Sequence, residues 1–167
     1  MSRSYPIRFA ALSLILAGLL ACGPEPRKRM EVGSPMPAFR LPSLDGTPVD
    51  SETLLGQPLV LNFWATWCQP CLKEIPDLQR LAQETGVRVV GIALDEQGER
   101  AVKPFVEKSG LDYTILLGNQ EVFERFDGLA IPYTLVINTQ GEVVRMIRGR
   151  ASPTALRASL EPLMVVE

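Results

Sequence analysis

The strongest constraint on the fold is a pair of cysteines, Cys68 and Cys71, at the junction of two segments with different hydrophobic patterns. Before them, residues 58–65 (PLVLNFWA) form a continuous apolar run, which is typical of a strand buried on both faces. After them, residues 69–84 place apolar side chains at helical spacing. The sequence therefore predicts a CxxC pair at the start of a helix that directly follows a central strand.

This position gives the two cysteines different chemistry. Free backbone N–H groups and the positive end of the helix dipole stabilise a thiolate, so we expect Cys68 to ionise more readily than a free thiol. Cys71, one turn later, should face Cys68 and be more buried. An exposed thiolate that attacks and a second thiol that resolves are the two parts needed for thiol–disulfide exchange.

The absence of histidine limits the other uses of such a pair. It excludes Cys-His nucleophiles and His-ligated metal or haem. A structural zinc site needs about four Cys or His ligands, whereas the chain has 3 cysteines. Haem attachment requires a CxxCH motif, but Leu72 occupies the position of its histidine. A permanent disulfide would close a very short loop and add little stability. We expect redox cycling, with no metal and no cofactor beyond the Cys68–Cys71 disulfide.

The N-terminal segment has the pattern of a secretory signal. Residues 1–21 carry Arg3 and Arg8, followed by an apolar run shorter than the roughly 20 residues of a membrane-spanning helix. The sequence LLAC at residues 19–22 resembles a bacterial lipobox, which implies cleavage before Cys22 and lipidation of that cysteine. The alternative is an ordinary signal peptide followed by a spare thiol. We expect an extracytoplasmic protein anchored to the bilayer through Cys22, on the periplasmic side in a Gram-negative cell.

The rest of the chain divides into a tether and one domain. Residues 22–37 are rich in Pro, Gly and charge, which predicts a lipidated tether. Residues 38–167 alternate strand and helix patterns, from a hairpin at Asp45-Gly46 to a terminal hairpin and helix. This order predicts an α/β domain in which helices flank a central mixed β-sheet. The net charge of −2 gives no reason to propose a nucleic-acid partner, and we expect a monomer.

Residues 62–76, NFWATWCQPCLKEIP, resemble the active-site segment of thioredoxin-fold proteins, and most closely that of the TlpA/ResA-like thiol-disulfide oxidoreductases. The similarity runs from about residue 33 to the C-terminus and includes residues 94–110 and 131–144. It implies a thioredoxin-like fold with an N-terminal β-hairpin and a βα insertion. It also implies an enzyme that reduces disulfides of secreted proteins or apocytochrome c, and a membrane electron donor that re-reduces it.

The resemblance and the local sequence also point to residues around the pair. Pro132 is expected to be the cis-proline that faces the cysteines, with backbone groups of Ile131 available to a substrate strand. Trp67, next to Cys68, is expected on an apolar rim that the substrate covers.

One position departs from thioredoxin. Asn62 stands where thioredoxin has a buried aspartate, and an amide cannot titrate. Another group, or water, must then handle the proton of Cys71. The likeness to the TlpA/ResA-like branch favours Glu96 for this role, with Asp95 as the next choice, although both could be loop carboxylates in water. Glu74 is expected on a solvated helix face.

The sequence leaves the direction of electron flow open, because a protein disulfide oxidase or isomerase would carry the same pair. A thiol peroxidase of the wider redoxin group is less compatible, since Ala65 stands where such a site has threonine, three residues before the cysteine. A copper-delivering protein on this fold typically separates its cysteines by three residues and adds a histidine. The chain has neither feature.

Overall fold

The computed structural model describes residues 29–164, so the predicted signal segment and Cys22 lie outside the described residues. A short 3-10 helix (Ser51–Leu54) follows the first two strands. The strands and helices are, in chain order, β1 (Arg40–Pro42), β2 (Pro48–Asp50), β3 (Leu59–Trp64), α1 (Gln69–Thr85), β4 (Arg88–Ala93), α2 (Glu99–Ser109), β5 (Thr114–Leu117), α3 (Gln120–Arg125), β6 (Tyr133–Ile137), β7 (Val143–Arg148) and α4 (Pro153–Met164).

The central sheet has five strands in the order β5-β4-β3-β6-β7. Strand β3 lies in the middle, where it pairs parallel with β4 and antiparallel with β6. Strands β4 and β5 are parallel, and β6 and β7 are antiparallel. The hairpin β1–β2 forms a separate two-stranded sheet. The predicted fold class, a mixed sheet flanked by helices with an N-terminal hairpin, is confirmed.

One face of the sheet is covered by aromatic packing. Phe63 of β3 lies 5.2 Å and 5.1 Å, between ring centroids, from Phe123 and Phe126 at the end of α3. Its ring also stacks on Tyr133 of the neighbouring strand. Aromatic contacts of this kind each contribute about 1 kcal/mol beyond the burial of their area. They fix α3 and the following loop against the sheet end that carries the cysteines.

The opposite face is covered by α1, α2 and α4. Because side chains alternate along a strand, Val60, Asn62 and Trp64 of β3 all point to this face. Val60 packs in a cluster with Leu78 of α1 and Leu156 of α4. Two of the three β3 residues on this face are apolar core, as expected of a buried strand. The third, Asn62, is a buried polar residue that requires hydrogen-bond partners.

The folded domain begins before the predicted boundary at residue 38. Gly33 N donates to Val143 O and Met36 N donates to Gly141 O, each at 2.8 Å, while Val143 N donates to Ser34 O at 2.9 Å. This part of the segment predicted as tether therefore lies against the β6–β7 hairpin, where Pro35 and Glu142 form an isolated antiparallel β-bridge. Between residues 29 and 164, no helix is both long and apolar enough to cross a bilayer.

Candidate active site

The cysteine pair lies where β3 passes into α1, as the sequence predicts. Cys68 is the N-cap of α1, with an extended backbone (φ −85°, ψ 95°), and Pro70 occupies the first turn. Cys71 N donates to Cys68 Sγ at 3.3 Å. The two cysteines form a disulfide with their Cα atoms 5.3 Å apart. After reduction, the same N–H group and the helix dipole would stabilise negative charge on Cys68.

Both cysteines are less exposed than the sequence suggests. Cys68 is 5% exposed and Cys71 only 1%. Beside them, by contrast, two large apolar side chains are turned to solvent: Trp67 is 66% exposed and Leu129 is 84% exposed. The disulfide therefore lies just below an apolar surface, and a partner that covers this surface would meet the edge of Cys68.

The loop before β6 brings the proline to the same end of the sheet. The Ile131–Pro132 peptide bond is cis. Tyr133, the next residue, pairs with Phe63 near the end of β3. Ile131 packs against the apolar cluster that contains both cysteines. The structure therefore brings together Trp67, Ile131 and Pro132, the three residues predicted to bind substrate; their role stays a prediction.

A buried carboxyl group lies beneath the pair. Glu74 is 1% exposed and follows Cys71 by one helical turn. Thr134 Oγ1 donates to Glu74 Oε1 at 2.8 Å, and Ala151 N donates to Glu74 Oε2 at 3.2 Å. Asn62 Nδ2 donates to Thr134 Oγ1 at 2.9 Å and lies 3.4 Å from Glu74 Oε1. The side chain expected in solvent is thus the centre of a buried hydrogen-bond network.

Burial is the main influence on the pKa of this group. Loss of solvent raises the pKa of Glu74 above its ordinary value, and this effect outweighs all others. Hydrogen bonds from Thr134 and Ala151 act in the opposite direction, as does the charge of Arg150. The nearby Asp77 carboxylate adds to the increase. A carboxyl group with a raised pKa one helical turn from a resolving thiol is better suited to exchange a proton with it than an ordinary carboxylate is.

The expectation that Glu74 lies on a solvated face is therefore wrong. Position 74 falls on the buried stripe of α1, between Cys71 and Ile75, so helical periodicity could have found it. Glu96, favoured from the sequence, is exposed in the loop after β4. Asp95 is 6% exposed and accepts hydrogen bonds from the backbone and hydroxyl of Thr66. A proton-transfer role for Glu96 stays a prediction, with less support than one for Glu74.

A groove of about 940 Å³ opens beside the cysteines. The β4–α2 loop forms one wall, the loop before Pro132 forms the other, and Trp67 lies at the end next to Cys68. The described residues that line the groove include Asp95 and Glu96 but no Lys or Arg. Between residues 29 and 164, no cluster of three or more His, Cys, Asp or Glu side chains could hold a metal ion.

Comparison with known proteins agrees with this geometry. The sequence matches the AhpC/TSA family over residues 32–146. The chain belongs to this family. It is 30% identical over 141 residues to the thiol-disulfide oxidoreductase ResA of Bacillus thuringiensis (strain Al Hakam), a match that covers 82% of this chain and 81% of that protein.

Solved structures also resemble this AhpC/TSA-family protein. A thio-disulfide isomerase from Thermus thermophilus is 34% identical with a TM-score of 0.69, covering 80% of this chain and 97% of that one. A secreted thiol-disulfide isomerase from Corynebacterium glutamicum is 25% identical with a TM-score of 0.70, covering 77% and 84% of the two chains. The AhpC/TSA-family protein described here is a thiol-disulfide oxidoreductase with a thioredoxin-like fold.

Proposed function

We propose that this thiol-disulfide oxidoreductase is a lipid-anchored, extracytoplasmic reductant of protein disulfides, and that apocytochrome c is among its substrates. The observation that carries the redox assignment is the Cys68–Cys71 disulfide at the start of α1, below an exposed apolar surface. The signal-like N-terminus and the lipobox at Cys22 support the location. The ResA relative and the secreted structural relative are compatible with it.

In the first step, the Cys68 thiolate attacks one sulfur of a substrate disulfide. The substrate S–S bond breaks, a bond between Cys68 Sγ and the substrate sulfur forms, and the second substrate sulfur leaves as a thiolate that takes a proton from solvent. The Cys71 N–H that faces Cys68 Sγ favours the thiolate before attack. Trp67 and Leu129 offer apolar contact to the segment that carries the disulfide.

In the second step, Cys71 attacks Cys68 Sγ. The mixed disulfide breaks, the Cys68–Cys71 bond forms, and the remaining substrate sulfur leaves as a thiolate. Glu74 takes the proton that Cys71 loses and returns it to the leaving sulfur or to water. Its position one turn after Cys71 and its raised pKa support this role. Two electrons have then passed from the enzyme dithiol to the substrate disulfide.

The oxidised enzyme must be re-reduced for another cycle. An extracytoplasmic compartment maintains disulfides, so the two electrons must come from a dithiol donor associated with the membrane. Reduction potential separates this function from that of an oxidase or isomerase on the same fold. We expect the Cys68–Cys71 couple to be nearer that of thioredoxin, about −270 mV, than that of a strong oxidant, about −120 mV.

Trapping tests the exchange reaction directly. The Cys71→Ser variant lacks the resolving thiol, so it should accumulate a mixed disulfide between Cys68 and an oxidised peptide that contains two cysteines. The matched Cys68→Ser variant should capture none. Equal capture by both variants, or capture by neither, would contradict the assignment of Cys68 as the attacking thiol.

A further inference from the structure

We propose that Asp95 sets the redox poise of the pair: its buried carboxylate disfavours the thiolate of Cys68 and thereby makes the dithiol a stronger reductant. The proposal rests on the exchange function above, since it takes Cys68 as the thiol that ionises. It gives a specific role to a buried charge that the exchange steps do not use.

The Asp95 carboxylate is hydrogen-bonded to the turn that carries Cys68. Asp95 follows the end of β4, where Leu94 N donates to Trp64 O at 2.9 Å and so aligns the ends of two strands. Thr66 N lies 3.0 Å from one Asp95 oxygen and 3.3 Å from the other. The Thr66 hydroxyl also donates to Asp95. Thr66 precedes Cys68 by two residues, so their Cα atoms are at most about 7.6 Å apart.

The charge of Asp95 is held near the site without a basic partner. Between residues 29 and 164, no Lys or Arg forms an ion pair with Asp95. Asp95 is 6% exposed, so solvent screens its charge poorly. The hydrogen bonds from Thr66 hold the carboxylate in this position. A negative charge in this position disfavours a second negative charge on Cys68, which follows Thr66 by two residues.

The other charged groups near Cys68 belong to α1 and the β4–α2 loop. On α1, the helix N-terminus and the exposed Lys73 favour the thiolate, whereas Glu74 opposes it when ionised. In the β4–α2 loop, Glu96 opposes it from an exposed position. The loop at residues 128–131, on the other side of the groove, carries no charged side chain. In the wall of the groove, Asp95 is therefore the buried residue whose negative charge disfavours the Cys68 thiolate.

The link to electron flow follows from the reduced state. A thiolate stabilises the reduced form of a CxxC pair, which makes its disulfide easier to reduce and the couple more oxidising. A carboxylate that destabilises the thiolate has the opposite effect, so the dithiol gives up its electrons more readily. This places Asp95 as a positioning and tuning residue that acts through Cys68 and does not itself contact the reacting atoms.

The test is the substitution Asp95→Asn, which retains the shape of the side chain and an oxygen that accepts from Thr66. In the full-length protein, we expect the equilibrium constant for its reduction by glutathione to rise about three- to tenfold, which corresponds to about 15–30 mV more positive potential. In a Cys71→Ser background, the pH of half-maximal alkylation of Cys68 should fall. Asp95→Ala, a second variant without the charge, should shift both quantities in the same direction.

Two controls separate charge from structure. Thr66→Val removes the hydroxyl donor but leaves the Asp95 charge, so a shift in Thr66→Val equal to that of Asp95→Asn would overturn the proposal. Glu96→Gln removes the adjacent exposed charge and should have a smaller effect. An unchanged potential in Asp95→Asn would also overturn the proposal, whereas failure of the exchange function itself would appear as no capture by Cys71→Ser.

Discussion

Glu74 and Thr134 join helix α1 to strand β6 by a hydrogen bond of 2.8 Å beneath the redox pair. The two residues are 60 positions apart in the chain, and both are almost completely buried. A polar contact in this position is costly to leave incomplete, because each buried group that loses its partner retains its desolvation penalty. The hydrogen bond between Glu74 and Thr134 therefore couples the protonation of Glu74 to the position of α1, the helix that carries Cys71.

Substitution of Glu74 by Gln should slow resolution of the mixed disulfide. The amide preserves much of the packing but cannot accept the proton of Cys71, so we expect the rate at neutral pH to fall about ten- to a hundredfold. Release of substrate thiol from a preformed mixed disulfide measures this step separately from the first attack. Glu96→Gln is the matched control, and an equal loss in that variant would return the proton-transfer role to Glu96.

The stability of the protein should carry the signature of Glu74 as a function of pH. Its pKa is higher in the folded chain than the value of about 4.3 in an unfolded one, so between these two values the folded state binds more protons. The contribution of Glu74 to stability therefore decreases as the pH rises from about 4.3 through the folded pKa. Urea unfolding at several pH values should show wild type losing stability relative to Glu74→Gln over this range. A difference independent of pH would contradict the raised pKa.

Thr134→Val tests the same network from the strand. The change keeps the shape of the side chain but removes the donor to Glu74 and the acceptor for Asn62. We expect a loss of about 1–3 kcal/mol in the free energy of unfolding. Because the Thr134 hydrogen bond lowers the pKa of Glu74, its loss should also move the pH profile of disulfide resolution upward. Thr114→Val, at an exposed strand position, should change neither quantity.

Gly91 should tolerate no larger residue. A Cβ atom at this position of β4 would lie 2.9 Å from Trp64 Nε1 and 2.9 Å from Ile115 Cδ1. We expect Gly91→Ala to destabilise the fold by about 1–3 kcal/mol in chemical denaturation. Ile115→Val removes the Ile115 Cδ1 atom, so the double variant should recover part of the loss. Strict additivity of the two substitutions would show that this contact is not the cause.

The exposed apolar surface should matter for substrate and not for stability. Leu129→Ser and Trp67→Ala remove side chains that are mostly in solvent, so we expect unfolding to change by less than about 0.5 kcal/mol. The second-order rate constant for reduction of a protein disulfide should fall about three- to tenfold. Val32→Ser, a substitution of an exposed apolar residue outside the groove, is the control. Unaltered kinetics in both groove variants would exclude this surface from substrate binding.

Local pattern predicted much of this molecule. The apolar run before Cys68 and the helical spacing after it give the positions of β3 and α1 to within about one residue, because each pattern reflects burial of the element itself. The replacement of an acid by Asn62 suggested that another group handles the proton of Cys71, and this stays a prediction. The environment of Glu74 was predicted wrongly, because a charged residue was assumed to face solvent although its position in the helix lies on the buried stripe.

The local sequence pattern could not predict which distant residues form hydrogen bonds with each other. Hydrogen bonds from Thr134 and Ala151 offset the cost of burying Glu74. These donors come close to Glu74 only when β6 and the segment before α4 have packed in the folded domain. Likewise, nothing near Ser34 in the sequence indicates that it pairs with Val143. Such contacts join distant parts of the chain, so neither propensity nor periodicity contains them.

The attachment of residues 33–36 to the β6–β7 hairpin has a consequence for where a lipid-anchored enzyme would work. Met30 N also donates to the Asp127 carboxylate, so the chain is attached to the domain from residue 30 onward. With Cys22 in the bilayer as proposed, the eight residue steps from there to Met30 span at most about 28 Å. If that anchor is present, the redox pair would act on oxidised proteins close to the membrane surface.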